Sequence, residues 1–269
     1  MPLIFLIISA SYCLVVGSIF IFQRHLMYHP DRSIGPPAQY GLAGFTEHFA
    51  ATPDDETVQL WYHPAAKGFP TIIYYHGNAY TMGDRANIYS ALTDKGFGLL
   101  ALSYRGYGKS TGSPTEQGIY IDARTAIHYA SDTLQLPPEH LILYGESLGT
   151  GVATQMATEF HVAGVILQSP YTSVASRAAE IYFYIPVEYL IKDKYRTIDK
   201  IANINTPLMI FHGERDDVIP VEHGKTVFAA AKSPKEIFYF PDKAHNDFDN
   251  RVLSEHVLDF ARKYNLIAH

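Results

Sequence analysis

From Thr71 onward, short apolar runs alternate with longer helical stretches, and this rhythm narrows the choice of fold more than any other feature. Thr71–Tyr75, Leu99–Ser103, Leu141–Tyr144, Val165–Gln168, Leu208–Phe211 and Glu236–Phe240 read as strands with both faces buried. Helical patterns lie near 84–95, 116–131, 148–160, 222–231 and 248–264. Strands joined through helices run parallel, because a crossover returns the chain to the same end of the sheet. Phe45–Ala50 and Val58–Tyr62 come earlier, with only a Pro53-Asp54-Asp55 turn between them, and should pair antiparallel at one edge. The expected fold is therefore α/β: an eight-stranded, mostly parallel sheet with helices on both faces. Ligands in such sheets bind at the carboxyl ends of the strands.

One interval breaks the rhythm. About 35 residues separate Pro170 from Asn205, too many for a turn. They predict a small cap of short helices over about 171–204. The aromatic group from Tyr182 to Tyr189 is expected to serve packing within that cap, with a substrate wall as the alternative. The chain has 269 residues, 47 % apolar and 18 % charged, enough for one large core. Its 20 Tyr and 15 Phe argue against disorder. The net charge of −6, with no Lys/Arg cluster, excludes an obvious nucleic-acid partner. Cys13 is the single cysteine, so no intramolecular disulfide can form.

Leu3 to Phe22 carries no charge. As a helix its 20 positions reach roughly 30 Å, the thickness of bilayer hydrocarbon. A cleaved signal peptide would want a basic start, a shorter run and a small-x-small site; Gln23-Arg24-His25-Leu26-Met27-Tyr28 offers no such site. Residues 1–29 are therefore expected to be a single-pass anchor and its flank, with 30–269 as the catalytic domain. Pro30 to Gly44, rich in Pro and Gly, reads as a linker. Arg24 and Arg32 follow the run and nothing basic precedes it, which leans the domain toward the cytoplasm and leaves the face open.

Gly145-Glu146-Ser147-Leu148-Gly149 matches G-x-S-x-G. Chance alone would supply such a pentapeptide roughly one time in ten, given ordinary Gly and Ser frequencies. Its setting carries more weight: a strand ends just before it and a helix-compatible run begins just after. A strand-to-helix turn strains the serine backbone and lifts its Oγ above the sheet, while the new helix aims free N–H groups at the site. The Leu148 N–H is one expected oxyanion donor, and the Asn78 N–H, in the loop Tyr75-His76-Gly77-Asn78-Ala79, is the other. His76 is expected to hydrogen-bond within its own loop.

A serine hydroxyl needs a base, and the base needs an orienting acid. In this fold class the order along the chain is Ser, acid, His. Asp216 or Asp217 sits in the loop after the seventh strand, and His245 in the loop after the eighth. His223 and His256 lie in helical stretches, and His161 follows the serine helix too closely. Gly106-Tyr107-Gly108-Lys109-Ser110 lacks the first glycine of a phosphate-binding loop and reads as a turn. With no H-E-x-x-H or C-x-x-C, no metal site is expected.

Together these segments resemble the α/β-hydrolase superfamily, and within it the membrane-anchored group similar to Bem46 and the ABHD13 and ABHD17 hydrolases. The resemblance rests on Phe22-Gln23-Arg24 through Tyr28-His29-Pro30, Tyr75-His76-Gly77-Asn78-Ala79, Tyr104-Arg105-Gly106-Tyr107-Gly108, the Ser147 motif, Ser169-Pro170-Tyr171-Thr172-Ser173 and His212-Gly213-Glu214-Arg215-Asp216. It implies that Asp216 is the acid, that His245 is the base, and that no cofactor is used. The ABHD17-like members attach lipid through an N-terminal cysteine cluster that this chain lacks; the apolar segment would replace it. The expected activity is hydrolysis of an ester or thioester, of a small molecule, a lipid or an acyl-protein, through an acyl-enzyme on Ser147. A peptidase on the same residues and an inactive membrane-tethered binding protein are the alternatives.

Overall fold

The computed structural model describes residues 2–232 and 234–268. Eight strands form one sheet: β1 (Thr46–Ala51), β2 (Thr57–His63), β3 (Thr71–Tyr75), β4 (Gly98–Ser103), β5 (Leu141–Glu146), β6 (Gly164–Gln168), β7 (Leu208–Gly213) and β8 (Lys235–Phe240). Their order across the sheet is β8-β7-β6-β5-β3-β4-β2-β1. β2 runs antiparallel to both neighbours and every other pairing is parallel. The eight strands stand where the sequence put them, within one or two residues at each end.

Side chains alternate along each strand, so one run of apolar residues feeds two cores. Ile73 and Tyr75 of β3 join Leu100, Leu143 and Val165 in a core shared with α3 (Glu116–His128) and α4 (Leu148–Glu159). Ile72 and Tyr74 point the other way, into a core with Leu92 of α2 (Ala86–Thr93) and Phe260 of the helix Asn250–Lys263. A one-residue slip of β3 would exchange the two sets, which is why register is tightly specified in a sheet covered on both faces. Arg105, after β4, fastens two distant elements at once: it donates to Asp122 of α3 at 2.8 and 2.9 Å and to Asp54 of the β1–β2 turn at 2.8 and 3.1 Å. The neighbouring Gly106–Ser110 segment is a turn, its Lys109 paired with Glu47 at 2.7 Å.

Pro30–Gly44, read as a linker, is tied to the domain at several points: Pro37 and Leu42 are buried, the Asp31 carbonyl accepts from Gly108 N at 2.8 Å, and Arg32 donates to the Gly106 carbonyl at 3.2 Å. Just before it, Tyr28 enters the core and His29–Pro30 pairs with Ala79–Tyr80. The cap, α5 (Val174–Ile181) and α6 (Val187–Leu190), is present between β6 and β7; in its aromatic group Tyr184 packs edge-on against Tyr182 and Phe183, yet much of the group faces outward. Phe183 is 84 % exposed and Tyr189 89 % exposed.

α1 (Pro2–Met27) projects from this body. From Leu3 to Met27 it is long and apolar enough to cross a membrane, with mean hydropathy 2.5 and none of its most apolar stretch buried. Its C-terminal half does touch the domain along one stripe: Val16, Ile19, Gln23 and Met27 are half-buried, spaced as one face of a helix.

Candidate active site

Ser147 sits between β5 and α4 with φ 51° and ψ −116°, a left-handed backbone that costs a non-glycine residue of order 1–3 kcal/mol. The surrounding glycines make the turn possible. A Cβ on Gly149 would lie 2.0 Å from the Tyr75 carbonyl oxygen, and one on Gly145 would lie 2.4 Å from that of Gly149. Helix and strand therefore cross closer than any side chain permits.

The structure brings Ser147, His245 and Asp216 together. His245 Nδ1 is 2.7 Å from Asp216 Oδ2, and its Nε2 is 2.9 Å from Ser147 Oγ. An ionised carboxylate only accepts, so Nδ1 carries the proton and Nε2 is free to accept from the serine hydroxyl. Asp216 is buried and Asp217 exposed, which separates the two candidates that the residues alone left open. The Asp216 Oδ1 also accepts from the amides of Val218 (3.0 Å) and Ile219 (2.7 Å). Burial by itself would raise the Asp216 carboxyl, but the His245 hydrogen bond and charge and the Ile219 amide outweigh it and hold its pKa below the ordinary value.

Asn78 and Leu148 both line the cavity that contains Ser147. Leu148 opens α4, where an N–H has no partner within its helix. The Asn78 side chain does something the sequence did not signal: its Nδ2 donates to the Met27 carbonyl at 2.8 Å, tying this loop to the end of α1. His76 is fully buried and donates through Nδ1 to the Gly77 carbonyl at 2.7 Å, as expected of a loop-stabilising residue. Burial, with the charge of Arg85, pushes its pKa down to about 3, so it is neutral at pH 7.

Three groups beside the site escaped sequence reasoning. Glu146, the variable residue of the serine motif, is held by Arg85 through two bonds, 3.0 and 3.2 Å, and accepts from the Tyr74 hydroxyl at 2.7 Å. Arg85 also donates to the carbonyls of Ala79 (2.9 Å) and Thr81 (3.1 Å), so one guanidinium joins the Asn78 loop to the serine turn. Burial alone would raise the Glu146 carboxyl, but Arg85 and Tyr74 bring it below the usual range. Behind Asp216 lies His212, which donates to the Ile219 carbonyl at 2.9 Å and is kept neutral by burial. Neither an isolated Arg nor an isolated His in a sequence announces such a partner. The third group is the cavity wall supplied by α1. The cavity, about 300 Å³, is lined by Val16, Ile19 and Phe20 as well as by Ser147. A second cavity of about 360 Å³ meets the first at Ser147 and Asn78 and is walled by Asp84, Arg85, Asn87 and Asn250. Among the described residues no cluster of His, Cys, Asp and Glu is arranged to hold a metal.

The α/β-hydrolase-fold family model matches residues 70–196. Rv2307c, an uncharacterised protein of Mycobacterium tuberculosis, is 33 % identical over 266 residues, which covers 96 % of this chain and 93 % of that protein. The chain is a member of the α/β-hydrolase family. Alpha/beta hydrolase domain-containing protein 17B of Xenopus laevis is 33 % identical over 187 residues, 69 % of this chain and 63 % of that one. Among solved structures, an esterase of Pyrococcus furiosus superposes with a TM-score of 0.73 at 18 % identity, over 88 % of this α/β hydrolase and 98 % of the esterase.

Proposed function

We propose that this α/β hydrolase is a membrane-anchored serine hydrolase of carboxylic esters or thioesters. The observation that carries the proposal is the unbroken line from Asp216 through His245 to Ser147 Oγ, at 2.7 and 2.9 Å, on a strained turn that opens into an apolar cavity. His245 Nε2 takes the Oγ proton as the oxygen attacks the acyl carbon. The N–H groups of Asn78 and Leu148 meet the oxyanion of the tetrahedral intermediate. Its collapse breaks the bond to the alcohol or thiol, which leaves with the proton from His245. The Ser147 acyl ester remains, and a water activated by His245 hydrolyses it. Asp216 keeps the imidazole in the tautomer this sequence needs. The apolar lining near Ser147 suits an acyl group, and the one carboxylate of that cavity, Asp193, is already paired with Arg24 at 2.8 Å, so no free carboxylate on that side awaits a peptide amine. α1 is the anchor.

The test is Ser147→Ala. We expect fluorophosphonate labelling to vanish and turnover of activated acyl esters to fall by about 10³- to 10⁶-fold. Retention of both would refute the assignment, and faster turnover of acyl amides than of esters in the native enzyme would point to an amidase.

A further inference from the structure

Polar bonds fasten α1 to the domain at two levels. Near its middle, the Tyr12 hydroxyl donates to the Tyr184 carbonyl at 2.8 Å. Near its end, Gln23 accepts from Lys192 N at 2.7 Å and donates to the Leu190 carbonyl at 3.3 Å, while Arg24 donates to Asp193 at 2.8 and 3.2 Å. Between these levels the Lys192 ammonium lies over the Phe20 ring at 4.5 Å, and a mostly apolar gap separates the two surfaces. It is bounded by Val16, Ile19 and Phe20 on α1 and by Ile181, Tyr182 and Leu190 on the cap, and it continues to Ser147.

The depth of that gap decides what fits it. If residues 3–22 span the hydrocarbon, Val16 to Phe20 lie in its last third, on the side of the domain. Met27, which shares the cavity with Ser147, is seven to eleven residues further along, about 10–16 Å at the helical rise. The gap therefore opens at the level of lipid tails and ends at the nucleophile, just outside them. A membrane acyl chain has the same polarity, with its tail in hydrocarbon and its carbonyl at the boundary. Phe183 and Tyr184 of the cap are exposed beside the same helix, where the Tyr184 carbonyl accepts from Tyr12. The second cavity, beyond Ser147, is lined by Asp84, Arg85 and Asn87 and matches a polar leaving group.

We infer that α1 is one wall of the substrate site. The acyl tail of an ester or thioester embedded in the same bilayer lies between α1 and the cap, with its carbonyl at Ser147 and its polar leaving group on the Arg85 side. The inference rests on the serine-hydrolase proposal and adds the substrate's location and orientation. It makes the anchor part of the catalyst's binding surface.

The probe is a long-chain alkyl fluorophosphonate with a photoreactive diazirine at the tail end, applied to the full chain in phosphatidylcholine vesicles. We expect Ser147 to be labelled and, after illumination, the tail to be joined to residues 16–20 or 181–190. A labelled Ser147 whose tail is joined instead to Tyr80, Asn87 or Phe248, or to lipid only, overturns the inference and leaves the hydrolase proposal standing. An unlabelled Ser147 sinks the hydrolase proposal and this one with it. Independently, Ile19→Trp should fill the gap. Each buried methylene contributes roughly a factor of four, so excluding even two from the site should lower kcat/KM for a palmitoyl ester by at least about tenfold. The butyryl ester should lose less than the palmitoyl ester, so that the ratio of palmitoyl to butyryl kcat/KM falls. Equal loss on both esters, or on neither, contradicts the assignment.

Discussion

Replacing Arg85 by leucine tests the link between the serine turn and the loop facing it. In the native protein Arg85 Nη2 lies 3.0 Å from Glu146 Oε1, and each side chain is only 10 % exposed. Removing the cation leaves a buried carboxylate without its partner, a change that costs about 3–5 kcal/mol. In a chain of this size 1 kcal/mol moves the midpoint of thermal unfolding by about 2–4 °C, so a fall of about 6–20 °C is expected at pH 7. The pH dependence supplies a sharper signature. With Arg85 present the Glu146 carboxyl titrates below its ordinary value, so its contribution is present above the unfolded pKa and lost as pH falls through the folded one. Without Arg85 the two largest causes that lower this pKa are lost, and burial pushes it upward against the Tyr74 hydrogen bond alone among its direct partners. The variant then regains stability on acidification from about pH 7 to about pH 5, as the carboxyl takes up a proton. The gap between native and variant should therefore narrow as pH falls. A double variant, Arg85→Leu with Glu146→Leu, should recover most of the loss at pH 7, because no orphaned charge remains. Calorimetric scans of the full chain in detergent across this pH range provide the measurement. A gap that is small at pH 7, or constant with pH, refutes the account of a charge-compensated clamp.

Asp216→Asn should lower kcat by about 10⁴-fold, since the amide can stabilise the wrong His245 tautomer, with little change in the unfolding midpoint; an active variant would show that Asp216 is not the orienting acid. Gly149→Ala should prevent correct folding or cost more than about 3 kcal/mol, because the added Cβ meets the Tyr75 carbonyl at 2.0 Å, and near-native expression and stability would contradict that contact. His76 is neutral down to about pH 3, so His76→Gln should leave the acid limb of the pH–rate profile where it is in the native enzyme. A displaced limb would mean that His76 titrates in the working range.

The sheet was legible because its strands are buried on both faces and separated by helices, a pattern that physical burial writes directly into residue order. The serine turn was legible for a related reason: the closeness of α4 to β5 and to the end of β3 demands glycines at 145 and 149, and only glycine meets that demand. The choice of Asp216 over Asp217 is different. Adjacent carboxylates in a loop are equivalent in sequence, and what separates them is which one folds inward against His245 and the amides of residues 218 and 219. The Arg85–Glu146 clamp and the neutral His212 stayed hidden likewise, since an ion pair across 61 residues exists only once the chain has folded. The largest shift in understanding concerns α1. Every side of it is apolar from Leu3 to Phe22, so no periodicity could mark the stripe at Val16, Ile19, Gln23 and Met27 that turns toward the domain. Composition determined that this segment suits a membrane. Only tertiary structure decided that it also closes the cavity above Ser147, because a helix that is apolar all round carries no record of which face finds a partner.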